Sequence, residues 1–360
     1  MAKKYRVGII GCGSIANYHA RGYQGVEEIE IVALADPVKE AVDEFGDKYG
    51  IESRYTDFRQ MLDEENLDIV SNATWHKLHA PITIAACARR PKAVLCEKPM
   101  ATNLGDCDQM LIAAQRNNVK LAIAHQRRFN AAWTEARKLI NEGAIGSVRQ
   151  INAWGTQGFL NYSSHTFDMM RYILGDPKVE WVIGNIERKT ERYERDIRIE
   201  DKGAGIVGFD NGTVGQLLLE LEETSGWPGH RQGGIFYGED GILDLTEQKI
   251  RLLNSQTGGW EELPIEGENP SVGQMRELIE WIEGKVEHRG QAENGRAAVE
   301  IIMAIYESAR LHEVVKLPLR TFSSPLDVMV ESGDLPVERP GRYDIRAFLL
   351  RGEKMSHENP

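Results

Sequence analysis

The chain has 360 residues, 41% of them hydrophobic and 27% charged, enough for about two domains of roughly 100–200 residues, each burying a core of its own. Its net charge of −12 argues against a nucleic-acid backbone as partner, and no run of about 18 apolar residues offers itself to a membrane. The first residues enter an apolar segment at once, so no signal peptide is expected. Cys12, Cys87, Cys96 and Cys107 lack paired metal spacing, which predicts reduced, mostly buried thiols, no metal and a cytoplasmic location.

In chain order, the apolar run Tyr5–Ile10 reads as a buried strand. It leads into a turn, Gly11-x-Gly13-x-x-Ala16, and then into helical spacing after Ser14. A second strand, Ile29–Ala35, ends at Asp36, twenty residues past Ala16. Strand, glycine turn, helix, strand and acidic end make the dinucleotide fingerprint in its required context. Gly11 permits the tight turn, Gly13 lets the backbone approach a pyrophosphate, and Ala16 allows close helix–strand packing. The pyrophosphate is expected over Gly11, Cys12, Gly13, Ser14 and Ile15, where free N–H groups and the helix dipole favour an anion. Asp36 should accept hydrogen bonds from the adenosine ribose and repel a 2′-phosphate, favouring NAD over NADP. Lys39 and Arg54 are nearby cations that soften this preference.

Helices are predicted over 38–49, with Pro37 at the first turn, and over 56–64, 79–89 and 103–117. Strands over 68–73, 93–96 and 120–124 alternate with them, which implies a parallel sheet with helices on both faces. After Ala124 the pattern changes. A helix over 131–141 is followed by strands over 148–154, 179–186, 205–209, 213–221, 233–237 and 242–245, with a helix over 164–174 between the first two. Turn residues such as Asp210-Asn211-Gly212 suggest a largely antiparallel sheet. Helices over 272–283 and 292–311 close this part. The expected division is 1–124 for a dinucleotide-binding Rossmann domain, 125–317 for an α/β domain that binds substrate and forms the oligomer, and 318–360 for a proline-rich, polar arm that packs on the surface.

Four motifs occur in order: the run from Val7 to Ala16, Ala73-Thr74 with His79, the stretch Cys96-Glu97-Lys98-Pro99-Met100, and His165-x-x-Asp168 before Leu174-Gly175. On these the chain resembles the Gfo/Idh/MocA oxidoreductases, the glucose–fructose oxidoreductase and inositol dehydrogenase family, from about Tyr5 to Leu317. The resemblance implies a Rossmann domain joined to an open α/β domain whose sheet forms oligomer contacts, hence a homodimer or homotetramer. It also implies a nicotinamide cofactor, held in part by Thr74, His79, Glu97 and Lys98, and hydride transfer on sugars, polyols or their derivatives.

The residues suit that chemistry. Lys98 follows a strand's carboxyl end, where its ammonium can hydrogen-bond the hydroxyl that loses a hydride. Glu97 binds ribose or orients Lys98, or forms a simple ion pair with it. Pro99 fixes an extended turn. His165 is the general base, since imidazole titrates near neutrality. Asp168, one turn on, orients its neighbours or binds substrate, or merely caps the helix. Asn161 stands where the family commonly has Asp, so it either grips a substrate hydroxyl or serves as an N-cap. Trp75 and His76 replace the family's usual Pro-Asn. Arg127, in the cluster 125–129, binds an anionic substrate group or belongs to a solvated arginine pair. Trp154, Trp227, His230 and Arg231 are candidates to line a sugar ring. The expected function is NAD-dependent hydride transfer from a secondary alcohol of a cyclic sugar or polyol, with Lys98 and His165 at the reacting hydroxyl. The alternatives are a redox-assisted glycosidase that recycles a tightly bound NAD, and a nonenzymatic nicotinamide sensor, against which Lys98 and His165 both count.

Overall fold

Strands β1 (Tyr5–Ile10), β2 (Ile29–Ala35), β3 (Ser53–Tyr55), β4 (Ile69–Asn72), β5 (Ala93–Cys96) and β6 (Lys120–Ile123) pair in parallel, in the order β3-β2-β1-β4-β5-β6. Strand order reverses between β1 and β4, the switch point at which doubly wound sheets hold dinucleotides. The helices are α1 (Ala16–Gln24), α2 (Lys39–Tyr49), α3 (Phe58–Glu64), α4 (His79–Ala88), α5 (Leu104–Asn117), α6 (Ala131–Asn141), α7 (Ser164–Ile173), α8 (Pro270–Ile282), α9 (Ala292–Leu311) and α10 (Pro325–Ser332). Strands β4 and β5 are buried at every residue, as a parallel sheet covered by crossover helices requires.

This computed structural model describes residues 4–155, 158–220 and 232–346. They fall into two units. The first holds residues up to Ala101, 106–129 and 268–296, and the second holds 102–105, 130–267 and those from Ala297 on. Residues 268–296, which lie in sequence within the expected second domain, pack in the first unit. Apolar Met275, Leu278, Ile279 and Trp281 of α8 join the core built on Val7, Ile9, Ala20 and Tyr23. Glycine makes that contact possible: a Cβ on Gly22 of α1 would meet the Ser271 carbonyl at 2.7 Å. Periodicity shows that α8 has an apolar face but not which sheet receives it.

In the second unit the strands are β7 (Val148–Gly155), β8 (Val179–Glu187), β9 (Thr190–Glu194), β10 (Ile197–Arg198), β11 (Lys202–Phe209), β12 (Val214–Glu220), β13 (Gly233–Gly238), β14 (Gly241–Thr246), β15 (Ile250–Asn254), β16 (Glu261–Glu262), β17 (Val315–Lys316) and β18 (Arg339–Asp344). Nine form one sheet, in the order β16-β15-β14-β13-β7-β12-β11-β8-β17. All its pairings are antiparallel except β7 with β12. On one face, Gly205 leaves room for α9, since a Cβ there would meet Ile305 at 2.5 Å. Opposite, Ile183 pairs with Ile206, and Leu218 stands 68% exposed.

The segment from Pro318 on is more than surface packing among its described residues. It carries α10, and β18 pairs in parallel with β9 in a second sheet, β10-β9-β18. Trp227, His230 and Arg231, and the end of the strand expected to reach Leu221, lie outside the described residues.

Candidate active site

The dinucleotide turn is built by its glycines. Gly11 has φ +92°, and a Cβ there would strike the Ala73 carbonyl at 2.7 Å, so no larger residue fits. A Cβ on Gly13 would instead point into open space, which leaves that backbone approachable. Ser14 and Ile15 lead into α1, which starts with no side-chain cap bond, so its first N–H groups are aimed where an anion would sit. Asp36, just past β2, accepts the Cys12 N–H on Oδ2 and the Val38 N–H on Oδ1, each at 2.9 Å. These bonds hold the carboxylate still while each oxygen keeps lone-pair capacity for a hydroxyl. Open glycine, uncapped helix and anchored carboxylate fit a dinucleotide.

Beyond β4 and β5 the polar groups interlock. Thr74 Oγ1 donates to Asn72 Oδ1 at 2.7 Å, and Asn72 Nδ2 donates to the His79 carbonyl at 3.0 Å. His79 Nδ1 lies 2.7 Å from the Pro99 carbonyl and Nε2 3.1 Å from that of Thr74. Burial lowers the His79 pKa against the pull of those two carbonyls. Thr74 and His79 thus brace the loop after β4 against the Lys98–Pro99 turn, whose peptide bond is cis. Trp75 is half-buried, and His76 is buried with its ring edge-on to His79 at 5.6 Å.

Glu97 is buried beneath this turn. Its Oε1 lies 2.9 Å from His19 Nε2, and its Oε2 accepts the Lys98 N–H at 3.2 Å. His19 Nδ1 in turn lies 2.6 Å from Ser71 Oγ. Burial raises the Glu97 carboxyl, but the His19 bond and the charges of His19, Lys98 and His79 outweigh it, so the group titrates below its ordinary range. Glu97 therefore grips the Lys98 backbone from below, and half-buried Lys98 leaves the end of β5. Sequence reasoning missed His19. Its signal was there: with Ala16, Ala20 and Tyr23 it lies on the buried face of α1, where a lone polar residue needs a partner.

The two arginines after β6 differ. Arg128 is fully buried, donating to the Arg289 carbonyl at 3.0 Å while Arg289 donates back to the Arg128 carbonyl at 3.1 Å. A solvated arginine pair is therefore wrong for Arg128. Arg127 is half-buried, its charge felt by the buried Tyr18 hydroxyl.

In the second unit, Asn161 lies on a π-helical turn, Gly158–Ser163, that runs into α7, which carries His165 and Asp168. Such turns re-aim side chains and recur at functional sites. Three buried groups hold it. Glu200 Oε1 accepts the Phe159 N–H at 2.6 Å, while its Oε2 accepts from Tyr306 Oη at 2.7 Å. Asn161 Nδ2 donates to Glu194 Oε1, and Gln232 Nε2 donates to the Tyr162 carbonyl at 3.2 Å and to Thr166 Oγ1. The N-cap of α7 is Ser163, so Asn161 does not cap the helix: its amide is turned to Glu194. His165 is buried in the first turn of α7, its ring edge-on to Tyr162 at 6.3 Å. Asp168 is fully buried within the helix, which excludes the capping role. Trp154 pairs with Leu218 on the sheet face opposite Gly155, and a Cβ on Gly155 would meet Ser163 and Thr166. Trp154 therefore points away from the π-helical turn.

A doubly wound dinucleotide-binding unit and a mixed-sheet unit with a buried histidine helix together define a nicotinamide-dependent oxidoreductase. Residues 5–125 match the family described as oxidoreductase family, NAD-binding Rossmann fold, and 137–317 match its C-terminal alpha/beta domain. The chain belongs to the Gfo/Idh/MocA oxidoreductases and is an NAD(P)-dependent dehydrogenase acting on CH–OH donors. It is 29% identical to a myo-inositol 2-dehydrogenase of Thermotoga maritima over 59% of this chain and 67% of that one. It is 24% identical to a D-apiose dehydrogenase of Paraburkholderia graminis over 92% and 94%. A levoglucosan dehydrogenase solved in complex with NADH shares the fold, with a TM-score of 0.78 at 20% identity over 88% of this chain and all of that one.

Proposed function

We propose that this dehydrogenase uses NAD to oxidise a secondary alcohol on a cyclic sugar, polyol or sugar derivative, and that Lys98 and His165 act on the reacting hydroxyl. The observation that carries the reading is the Lys98 turn, set beyond the carboxyl end of β5 in the dinucleotide-binding sheet and held from below by Glu97 and His19. A side chain on so rigid a base can stabilise charge on an alkoxide without reorganising. Relatives named for myo-inositol, D-apiose and 1,5-anhydro-D-fructose support a polyhydroxylated substrate.

Bound NAD supplies the hydride acceptor. The chain's own residues do the rest. The Lys98 ammonium donates to the substrate oxygen and favours its alkoxide, while the His165 imidazole takes the hydroxyl proton. The turn carrying Asn161 orients the ring, and Arg127 meets an anionic substituent where the substrate has one. Asp36 accepts from the ribose hydroxyls and disfavours a 2′-phosphate, so NAD binds more tightly than NADP; equal or tighter NADP binding by calorimetry would remove that preference. The exposed Ile183, Ile206 and Leu218 on the open sheet face are the proposed contact of a homodimer or homotetramer. A monomeric mass by light scattering would end that part.

NADH formation across a panel of inositols, aldoses, uronates and glycosides tests the activity. Turnover of at least one cyclic polyhydroxylated substrate is expected. Release of an aglycone with no net NADH would instead mark the redox-assisted glycosidase.

A further inference from the structure

The C-terminal strand reaches the buried carboxylate that holds Asn161. Strands β9 and β10 are joined by Arg195-Asp196, both left-handed at φ +49° and +61° with no glycine to ease the turn. Asp344, buried at the end of β18, ties that turn down: Oδ1 accepts the Arg195 N–H at 3.1 Å and Oδ2 the Asp196 N–H at 2.8 Å. The chain continues with the Ile345 N–H donating to the Tyr193 carbonyl at 3.0 Å and the Arg346 N–H to Asp344 Oδ1 at 2.7 Å. This brings Arg346 Nε to 3.4 Å from Glu194 Oε1, the same oxygen that accepts from Asn161 Nδ2. Arg195 adds a second cation at 3.6 Å. Glu194 is fully buried, so a carboxylate there needs such cations.

We propose that Glu194 and Arg346 are positioning residues for substrate binding: the C-terminal strand delivers Arg346 to Glu194, and Glu194 fixes the side-chain amide of Asn161. The proposal rests on the reading that the turn carrying Asn161 binds the sugar. It sets a buried carboxylate against Asn161, the residue that stands where the resemblance implies Asp. The amide is then presented in one orientation, with its Nδ2 edge toward Glu194.

The test uses full-length Arg346→Ala and Arg346→Lys, with crystal structures of the parent and of Arg346→Ala and with kinetics on whichever panel sugar the parent turns over fastest. In Arg346→Ala the Glu194 carboxylate should turn to its remaining cation, Arg195, and part from the Asn161 amide, while β9 and β10 stay paired. The sugar KM should rise roughly ten- to 150-fold, the scale of one charge-assisted hydrogen bond, with the KM for NAD unchanged. Arg346→Lys should recover most of the loss, since it restores the charge. An Asn161 amide still on Glu194, or a sugar KM unchanged in a parent that is active, overturns the proposal. A parent with no activity on the panel, together with a displaced amide in Arg346→Ala, would overturn the sugar-binding reading and leave the positioning intact.

Discussion

Lys98 and Asn161 show how far a side chain's role depends on what stands behind it. Lys98 rests on Glu97 and His19, so Lys98→Met should keep the turn and lose only the ammonium. Turnover should fall on the order of 10²–10³, with NAD affinity much less affected. Near-normal turnover in the folded variant would remove Lys98 from the chemistry. At Asn161 the structure changes the expected reason for an effect. Asn161→Asp would set two carboxylates against each other where Glu194 is fully buried. One must take up a proton, and its folded pKa then lies above the unfolded value. Stability owed to that proton is complete below the unfolded pKa of about 4 and is lost as pH rises through the folded value. The variant should therefore lose activity, and its melting temperature should fall further behind the parent at pH 8 than at pH 5. A gain of activity would mean that the amide substitutes poorly for a carboxylate.

At the scale of elements, α8 and the segment after it give a pH signature to the first unit. His288 stacks on Trp281 with ring centroids 5.8 Å apart and accepts the Gly290 N–H at 3.1 Å. Burial, with Arg289 and Arg128 nearby, pushes its pKa from 6.5 down to about 3. The depressed value means its contribution is complete above pH 6.5 and is lost as pH falls toward 3. At pH 5 the loss should be about 2 kcal/mol. Denaturant melts at pH 7.5 and 5 should show this difference in the parent and a smaller one in His288→Phe; equal differences would place the acid sensitivity elsewhere. The β1–α1–β2 unit was legible because glycine spacing, apolar runs and Asp36 coincide. Strand β3 was too short to show a period, and the β9–β10 hairpin turns on Arg195-Asp196, which lack the glycine that usually marks such a turn. His19 and Glu194 were missed for a shared reason. Each is a polar residue whose meaning comes from a partner distant in sequence, Glu97 for one and Asn161 for the other.

For the whole molecule, the family and its oxidoreductase chemistry follow from two matched domains, and among the described residues no helix is long and apolar enough to cross a membrane. The central claim is that a hydride passes from a sugar carbon to NAD and that the resulting NADH leaves. It is tested most directly with the panel substrate turned over fastest, deuterated at its ring carbons, by mass spectrometry of the nicotinamide and sugar products. The expected result is one deuterium in each NADH released, with one oxidised sugar formed per NADH. Sugar conversion with no deuterated NADH in solution would contradict it.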